Sequence, residues 1–204
     1  VDNRLTCKAW NPSDSTGGVF ALIARKIVLK NSIDVSGTGF LGGDPNYPTV
    51  DYFNGSCTEA TDPYCTGAAS DSAGRKGESA VYEGFPFTRG MGYVLHGGGG
   101  GNGKYSGGGG GGNYGQGGNG GKESESCTPI TNLGGRGFNI APFYKSTGEL
   151  PIYFVNRIIM GGGGGTGTQN PNNSRYATKG GNGGGIIILI ADTSEAIGSQ
   201  TIRA

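Results

Sequence analysis

Unbroken glycine runs constrain this chain more than anything else in it, because ordering glycine costs more backbone entropy than ordering any other residue. Residues 97–121 are mostly glycine. The run Gly97 to Gly101 follows Tyr93-Val94-Leu95-His96, and a second run, Gly161 to Gly165, follows Arg157-Ile158-Ile159-Met160. The first leads on to Gly117-Gly118-Asn119-Gly120-Gly121, the second to Gly180-Gly181-Asn182-Gly183-Gly184, and a tyrosine (Tyr114, Tyr176) precedes each. Independent linkers have no reason to share that layout. It reads as an internal duplication, about 97–121 and 161–184, offset by the 64 residues between Gly97 and Gly161.

Glycine makes up 46 of the 204 residues, a share that also suits a disordered low-complexity chain. Against that stand 33% hydrophobic residues gathered in short dense runs, with 8 Phe, 10 Tyr and 1 Trp, enough apolar surface for a core. Each glycine block also abuts an apolar run without a charged spacer. The reading that uses both facts is an ordered bundle of polyglycine-II helices, in which only hydrogen fits between closely packed backbones. Asn102, Asn119 and Asn182 are then expected where a side chain reaches water and bonds its own backbone. Mobile loops over a β core are the competing reading.

The rest of the chain reads as all-β. Gly17-Gly18-Val19-Phe20-Ala21-Leu22-Ile23-Ala24, Ile27-Val28-Leu29 and Ile33-Asp34-Val35 are short, branched and divided by polar turns, as successive strands are. Gly184-Gly185-Ile186-Ile187-Ile188-Leu189-Ile190-Ala191 matches residues 17–24 in character position by position, and Ile202-Arg203-Ala204 matches Ile33-Asp34-Val35 after a two-residue length difference. Strands 17–24 and 184–191 are therefore expected side by side in one sheet. Ile152-Tyr153-Phe154-Val155 and Ile158-Ile159-Met160 also look strand-like, while 42–90 and 122–150 read as long irregular excursions. The expected fold is one glycine-rich β domain over 1–204, a short-strand sheet of jelly-roll or β-solenoid form beside the polyglycine bundle. Val1 in place of an initiator Met, and an end at Ala204 in apparent mid-strand, suggest a piece of a longer chain.

A net charge of +1 with both signs scattered gives no footprint for nucleic acid or an anionic membrane, and no apolar run is long enough to span a bilayer. The four cysteines, Cys7, Cys57, Cys65 and Cys127, form no Cys-x-x-Cys pair, and His96 is the single histidine, so zinc is poorly supplied with ligands. Their even number in a Gly/Asn/Ser/Thr/Tyr-rich chain favours disulfides and an extracellular setting. Of the three pairings, Cys57–Cys65 as a local loop with Cys7–Cys127 as a long staple is preferred. Four reduced, buried thiols are the alternative.

No catalytic constellation stands out, and no enzyme activity or cofactor is expected. Gly103-Lys104 is followed by Tyr105 rather than Ser or Thr, so no phosphate loop forms. Ser79 and Ser106 lack a nucleophile motif, and His96 at a strand end reads as structural. A single Gly135-Arg136-Gly137 is a thin signal for RNA. Asp44, Asn46, Asp51 and Asp62 offer oxygens to calcium, in competition with ordinary turn-forming roles. Tyr47, Tyr52 and Tyr64, with Tyr105 and Tyr114, are candidate contact residues, since tyrosine gives area at little rotamer cost; packing on the glycine bundle is their structural alternative. Asn54-Gly55-Ser56 and Asn172-Asn173-Ser174 fit the N-glycosylation pattern of a eukaryotic secretory host.

Trp10, Gly17-Gly18-Val19, the stretch from Ile33 to Gly43, Gly74-Arg75-Lys76-Gly77-Glu78, Asn156-Arg157-Ile158-Ile159-Met160 and Gly181-Asn182 to Ala191 occur here in an order with a parallel elsewhere. The combination resembles a glycine-rich module of large type IX-secreted, gliding-adhesin-like surface proteins of Bacteroidota. The layout is also similar to the glycine-rich extracellular domain of anaplastic-lymphoma-kinase-type receptors, where polyglycine helices accompany a jelly-roll-like sheet. The first resemblance implies a non-enzymatic structural or adhesion module at the cell surface, whose partners are other domains of the same protein or like subunits. Asp14-Ser15-Thr16 and Asp71-Ser72-Ala73 resemble the O-glycosylation acceptor of that phylum, which marks Ser15 and Ser72. The rival reading is a lectin-like domain that binds surface glycans through residues 44–65.

Overall fold

A computed structural model of the protein describes residues 3–45, 73–80, 89–103, 105–122, 134–139, 158–168 and 178–204. Among these residues the regular structure is all strand: β1 (Val19–Leu29), β2 (Ile33–Asp34), β3 (Ile186–Ala196) and β4 (Ile202–Arg203). β1 pairs with β3 and β2 with β4, both in parallel.

Branched apolar side chains suit a pleated, half-buried surface, which is why the Val/Ile/Leu-rich runs form the strands. Val19 lies beside Ile186 and Ala24 beside Ala191, the same correspondence that the two runs show in sequence. Ile33 lies beside Ile202, so the shift between the two ladders is the two-residue length difference. Residues 19–29 form one strand rather than two successive ones. The break expected at Arg25-Lys26 is instead a change of phase. Phe20, Leu22 and Ala24 face the core before it, Ile27 and Leu29 after it, and the two charged residues between are exposed.

Ile27, Leu29 and Ile33 are buried at the centre of this core, with Leu5, Phe20, Leu22, Ile187 and Leu189 packed around them. The segment at Leu5 flanks β2 on the side away from β4, donating Leu5 N to Ser32 O and accepting Asp34 N on Leu5 O. The opposite face of the β1–β3 pair carries Val19, Ile23 and Ile190, all exposed.

The sheet runs into the glycine segments without a linker. Gly18, with φ of 73°, adopts a conformation that L side chains rarely take, and from there its carbonyl accepts Ile186 N. Gly185 N donates to Val35 O, and Gly39 N donates to Gly183 O, so residues 39–43 and 180–185 are tied to one another as they leave the sheet. Ile158-Ile159-Met160 is not a strand; it leads directly into Gly161. The stretch Ile152 to Val155 lies outside the described residues.

Candidate functional site: the glycine segments

Glycine-rich segments at 39–43, 74–78, 96–101, 106–112, 117–121, 134–138, 161–168 and 180–185 bond to one another through their main chains. The bonds step by three residues. Gly98 and Gly101 donate to Gly163 and Thr166, both at 2.9 Å. Along 161–168, the N–H groups of Gly161 and Gly164 go to Gly184 and Gly181, those of Gly162 and Gly165 to Gly112 and Gly109, and those of Gly163 and Thr166 to Glu78 and Arg75. Carbonyls of the same segment accept from Phe40, Gly43, Gly98 and Gly101. Successive residues thus serve different neighbours, and each neighbour is met again one triplet later.

Close approach accounts for the composition. A Cβ on Gly163 would lie 1.9 Å from Leu41 O, and one on Gly165 would lie 2.1 Å from Gly99 O. Neither contact can be relieved by rotating a side chain, because the obstacle is backbone.

One arrangement of bonds occurs twice. Phe40 and Gly43 donate to Gly161 and Gly164; Gly135 and Phe138 donate to Gly107 and Gly110. Gly161 and Gly164 donate to Gly184 and Gly181; Gly107 and Gly110 donate to Gly121 and Gly118. Gly163 donates to Glu78, whose N–H goes to Leu41; Gly109 donates to Gly99, whose N–H goes to Arg136. The two GGNGG segments therefore hold matching places, but Gly161 is matched by Gly107 rather than by Gly97. The chain visits the second set in a different order, since 134–138 comes last while its counterpart 39–43 comes first. The correspondence is one of bonding places rather than of chain order.

Asn119 and Asn182 are exposed to water as expected, but their bonds are not local. Asn119 Oδ1 accepts Gly137 N at 2.9 Å and Asn182 Oδ1 accepts Gly42 N at 3.0 Å, so each joins a neighbouring segment rather than its own. Asn102 is fully buried rather than turned to water. A side-chain amide has the same acceptor as a peptide group, so asparagine supplies one more bond at a fixed point. Glycine-rich strands otherwise specify their register weakly.

Charged residues tie the edges. Both Glu78 carboxylate oxygens accept Trp10 Nε1, at 3.0 and 3.1 Å, and Oε2 also accepts Leu41 N at 2.8 Å. Buried Lys76 donates from Nζ to the carbonyls of Gly90 and Gly92, and buried Arg89 donates to Ala73 O. The charges inside Gly74-Arg75-Lys76-Gly77-Glu78 were the available sign of these roles, since a buried ionised group has to be paired with polar partners.

His96 is buried against Phe40, with ring centroids 5.4 Å apart, and Phe40 meets Trp10 edge-on at 5.5 Å. Burial lowers the His96 pKa to about 4; the main chain of Met160 opposes the shift but lies outside hydrogen-bonding geometry for either ring nitrogen. The ring is therefore neutral near pH 7. Ser79 is buried and its hydroxyl has no hydrogen-bond partner among the described residues, while Ser106 bonds Gly103 and Thr168.

Of the other residues singled out, Cys7 has its Sγ 3.4 Å from Thr38 Oγ1 and is in no disulfide among the described residues. Cys57, Cys65 and Cys127 lie outside the described residues, as do Asn46, Asp51, Asp62, Tyr47, Tyr52, Tyr64, Ser72, Asn54 and Asn172. Asp44 is exposed and pairs with Lys179 at 2.9 Å, a cation that competes with any metal there. Among the described residues no group of His, Cys, Asp and Glu is assembled to hold a metal. Ser15 is exposed in the turn closed by Asn11 and Thr16, with φ of 53°. In that turn the Thr16 hydroxyl holds Asp14 below the usual carboxylate range. Tyr105 and Tyr114 are both more than half exposed. Compared with family models, curated proteins and solved structures, the chain matches none.

Proposed function

We propose that the protein is a non-enzymatic extracellular structural and adhesion module of a large bacterial surface protein, stiffened by a bundle of polyglycine-II helices. The observation that carries the reading is the three-residue step of main-chain bonds among the glycine segments, with backbone atoms where a Cβ would stand. A three-fold helix directs successive N–H groups to three sides, as residues 161–166 do. Such a bundle fixes the ends of its segments without a large apolar core, which suits a spacer that transmits force or holds binding surfaces apart. Beside it, the parallel pairing of β1 with β3 and β2 with β4 fits solenoid-like stacking better than an antiparallel jelly roll. The resemblance of the Trp10, Gly74–Glu78 and Gly181–Ala191 motifs to gliding-adhesin-like modules supports the cell-surface placement.

Two measurements test this reading. Amide exchange should be slow at Gly98, Gly101, Gly162 and Gly165, which donate within the bundle; fast exchange at all four refutes the ordered bundle. An antibody to the domain should label intact host cells. Labelling only after permeabilisation removes the surface assignment.

A further inference from the structure

Among the described residues the packing leaves one place empty. Segment 161–168 is bordered by 39–43, 74–78, 96–101, 106–112 and 180–185, but between the last two lies an open cleft of about 920 Å³. Its floor is the glycine run at 161–165, and its walls are 106–112 and 180–185. On one wall, Gly107 and Gly110 donate toward 117–121, and Gly109 and Gly112 toward 96–101. Gly108 and Gly111, the remaining third, have no main-chain acceptor among the described residues. On the floor, the carbonyls of Gly162 and Gly165 likewise accept no bond among the described residues. By the three-fold rotation of both segments these groups face the cleft. They form two donors and two acceptors unpaired among the described residues, each pair one triplet apart.

The walls carry almost no side chains, and Gly164 shows which way the opening lies. A Cβ there would sit 3.5 Å from Gly109 O on one wall and 3.5 Å from Gly181 N on the other, in ordinary contact with both. Exposed Tyr105 and Lys179 flank one mouth.

We infer that this cleft is a docking site for an extended, glycine-rich strand of a neighbouring polypeptide, which enters as a further three-fold helix. The inference rests on the polyglycine bundle proposed above. The occupant is defined by chemistry. Its main chain must supply acceptors to Gly108 and Gly111 and donors to Gly162 and Gly165 at the same triplet spacing. It must lack side chains toward floor and walls, whereas its outer face stays open to solvent. A peptide with glycine at two of every three positions meets both conditions, because residues one triplet apart share a face. At ~3.1 Å per residue the wall from 106 to 112 accommodates about 20 Å of such a strand.

The test uses the whole chain and a labelled peptide of repeated Gly-Gly-Lys triplets, read by fluorescence anisotropy and by the amide signals of Gly108 and Gly111. Saturable binding that perturbs those two amides is expected, with no binding of a Gly-Val-Lys peptide. Gly164→Leu places a side chain in the cleft without striking backbone and should weaken binding by at least about tenfold. Gly181→Leu, where an added Cβ meets nothing within 4 Å, serves as the second blocking variant. Unchanged binding to both variants, equal binding of Gly-Val-Lys, or no binding of Gly-Gly-Lys overturns the inference. Slow exchange at Gly98 and Gly101 without peptide binding sinks the docking site alone, while fast exchange there sinks the bundle as well.

Discussion

A methyl group added at Gly163 meets a carbonyl oxygen at 1.9 Å, whereas one added at Gly181 meets nothing within 4 Å. The same substitution is therefore expected to act in opposite directions. Gly163→Ala should cost about 3 kcal/mol or more, as overpacking against backbone does. Gly181→Ala should be neutral or add about 0.5 kcal/mol by restricting the unfolded chain. Thermal melts of the two variants measure the contrast. His96 supplies a second residue-scale expectation. Above pH 6.5 the folded and unfolded states are both neutral there, so stability does not depend on this group. Between pH 6.5 and about 4 only the unfolded chain takes up the proton, so stability falls with pH, by roughly 3 kcal/mol across the window. Denaturant midpoints across that range should show the slope, and His96→Leu should flatten it. Asp34, held low first by Ser36 N–H, titrates below the window.

At the scale of elements, the β1–β3 ladder separates a core face from an open one. Ile27 is buried at 3% exposure and Ile23 is 75% exposed, although both are branched residues of one strand. Ile27→Ala should cost about 2–4 kcal/mol, and Ile23→Ser should stay within about 0.5 kcal/mol. Urea titrations of both variants check this; equal losses would show that the change of phase at Arg25-Lys26 is misplaced. The pairing of β1 with β3 was legible because the runs 17–24 and 184–191 match in apolar character position by position, although the face of Ile23 and Ile190 stays uncovered among the described residues. The phase change was not. Strict alternation from Val19 puts Ile27 on the open face, and only the packing of Ile27 and Leu29 beside Ile33 shows the reversal. The glycine segments were legible as a pattern, but their neighbours were not, because a run of identical residues carries no register of its own.

Over the whole molecule, Glu78 joins three parts of the chain: its own segment, Trp10 ahead of β1, and Leu41 in the glycine segment 39–43. Glu78→Ala leaves two half-buried N–H groups without their acceptor and should cost about 1–3 kcal/mol. Glu78→Gln keeps an acceptor and should lose less than half as much. Trp10 is the single tryptophan, so its fluorescence reports both unfolding and the local change. An unaltered midpoint in Glu78→Ala would remove Glu78 from any role in holding Trp10 and Leu41 to its own segment.

What the sequence determined by itself was the strand character and the pairing of the first and last long apolar runs. Long glycine runs confine a side-chain core to the segments between them, and matched runs such as 19–24 and 186–191 name their own partners through side-chain pattern. What only the tertiary structure decided was which glycine segment lies beside which. That choice placed Gly107 rather than Gly97 opposite the pattern of Gly161, turned Asn119 and Asn182 toward neighbouring segments, and left the cleft between 106–112 and 180–185 open. The physical reason is that glycine main chains bond to any like neighbour equally well. Their arrangement is set by the few residues with side chains, Phe40, Glu78, Asn119 and Asn182 among them, and by where the sheet delivers the chain.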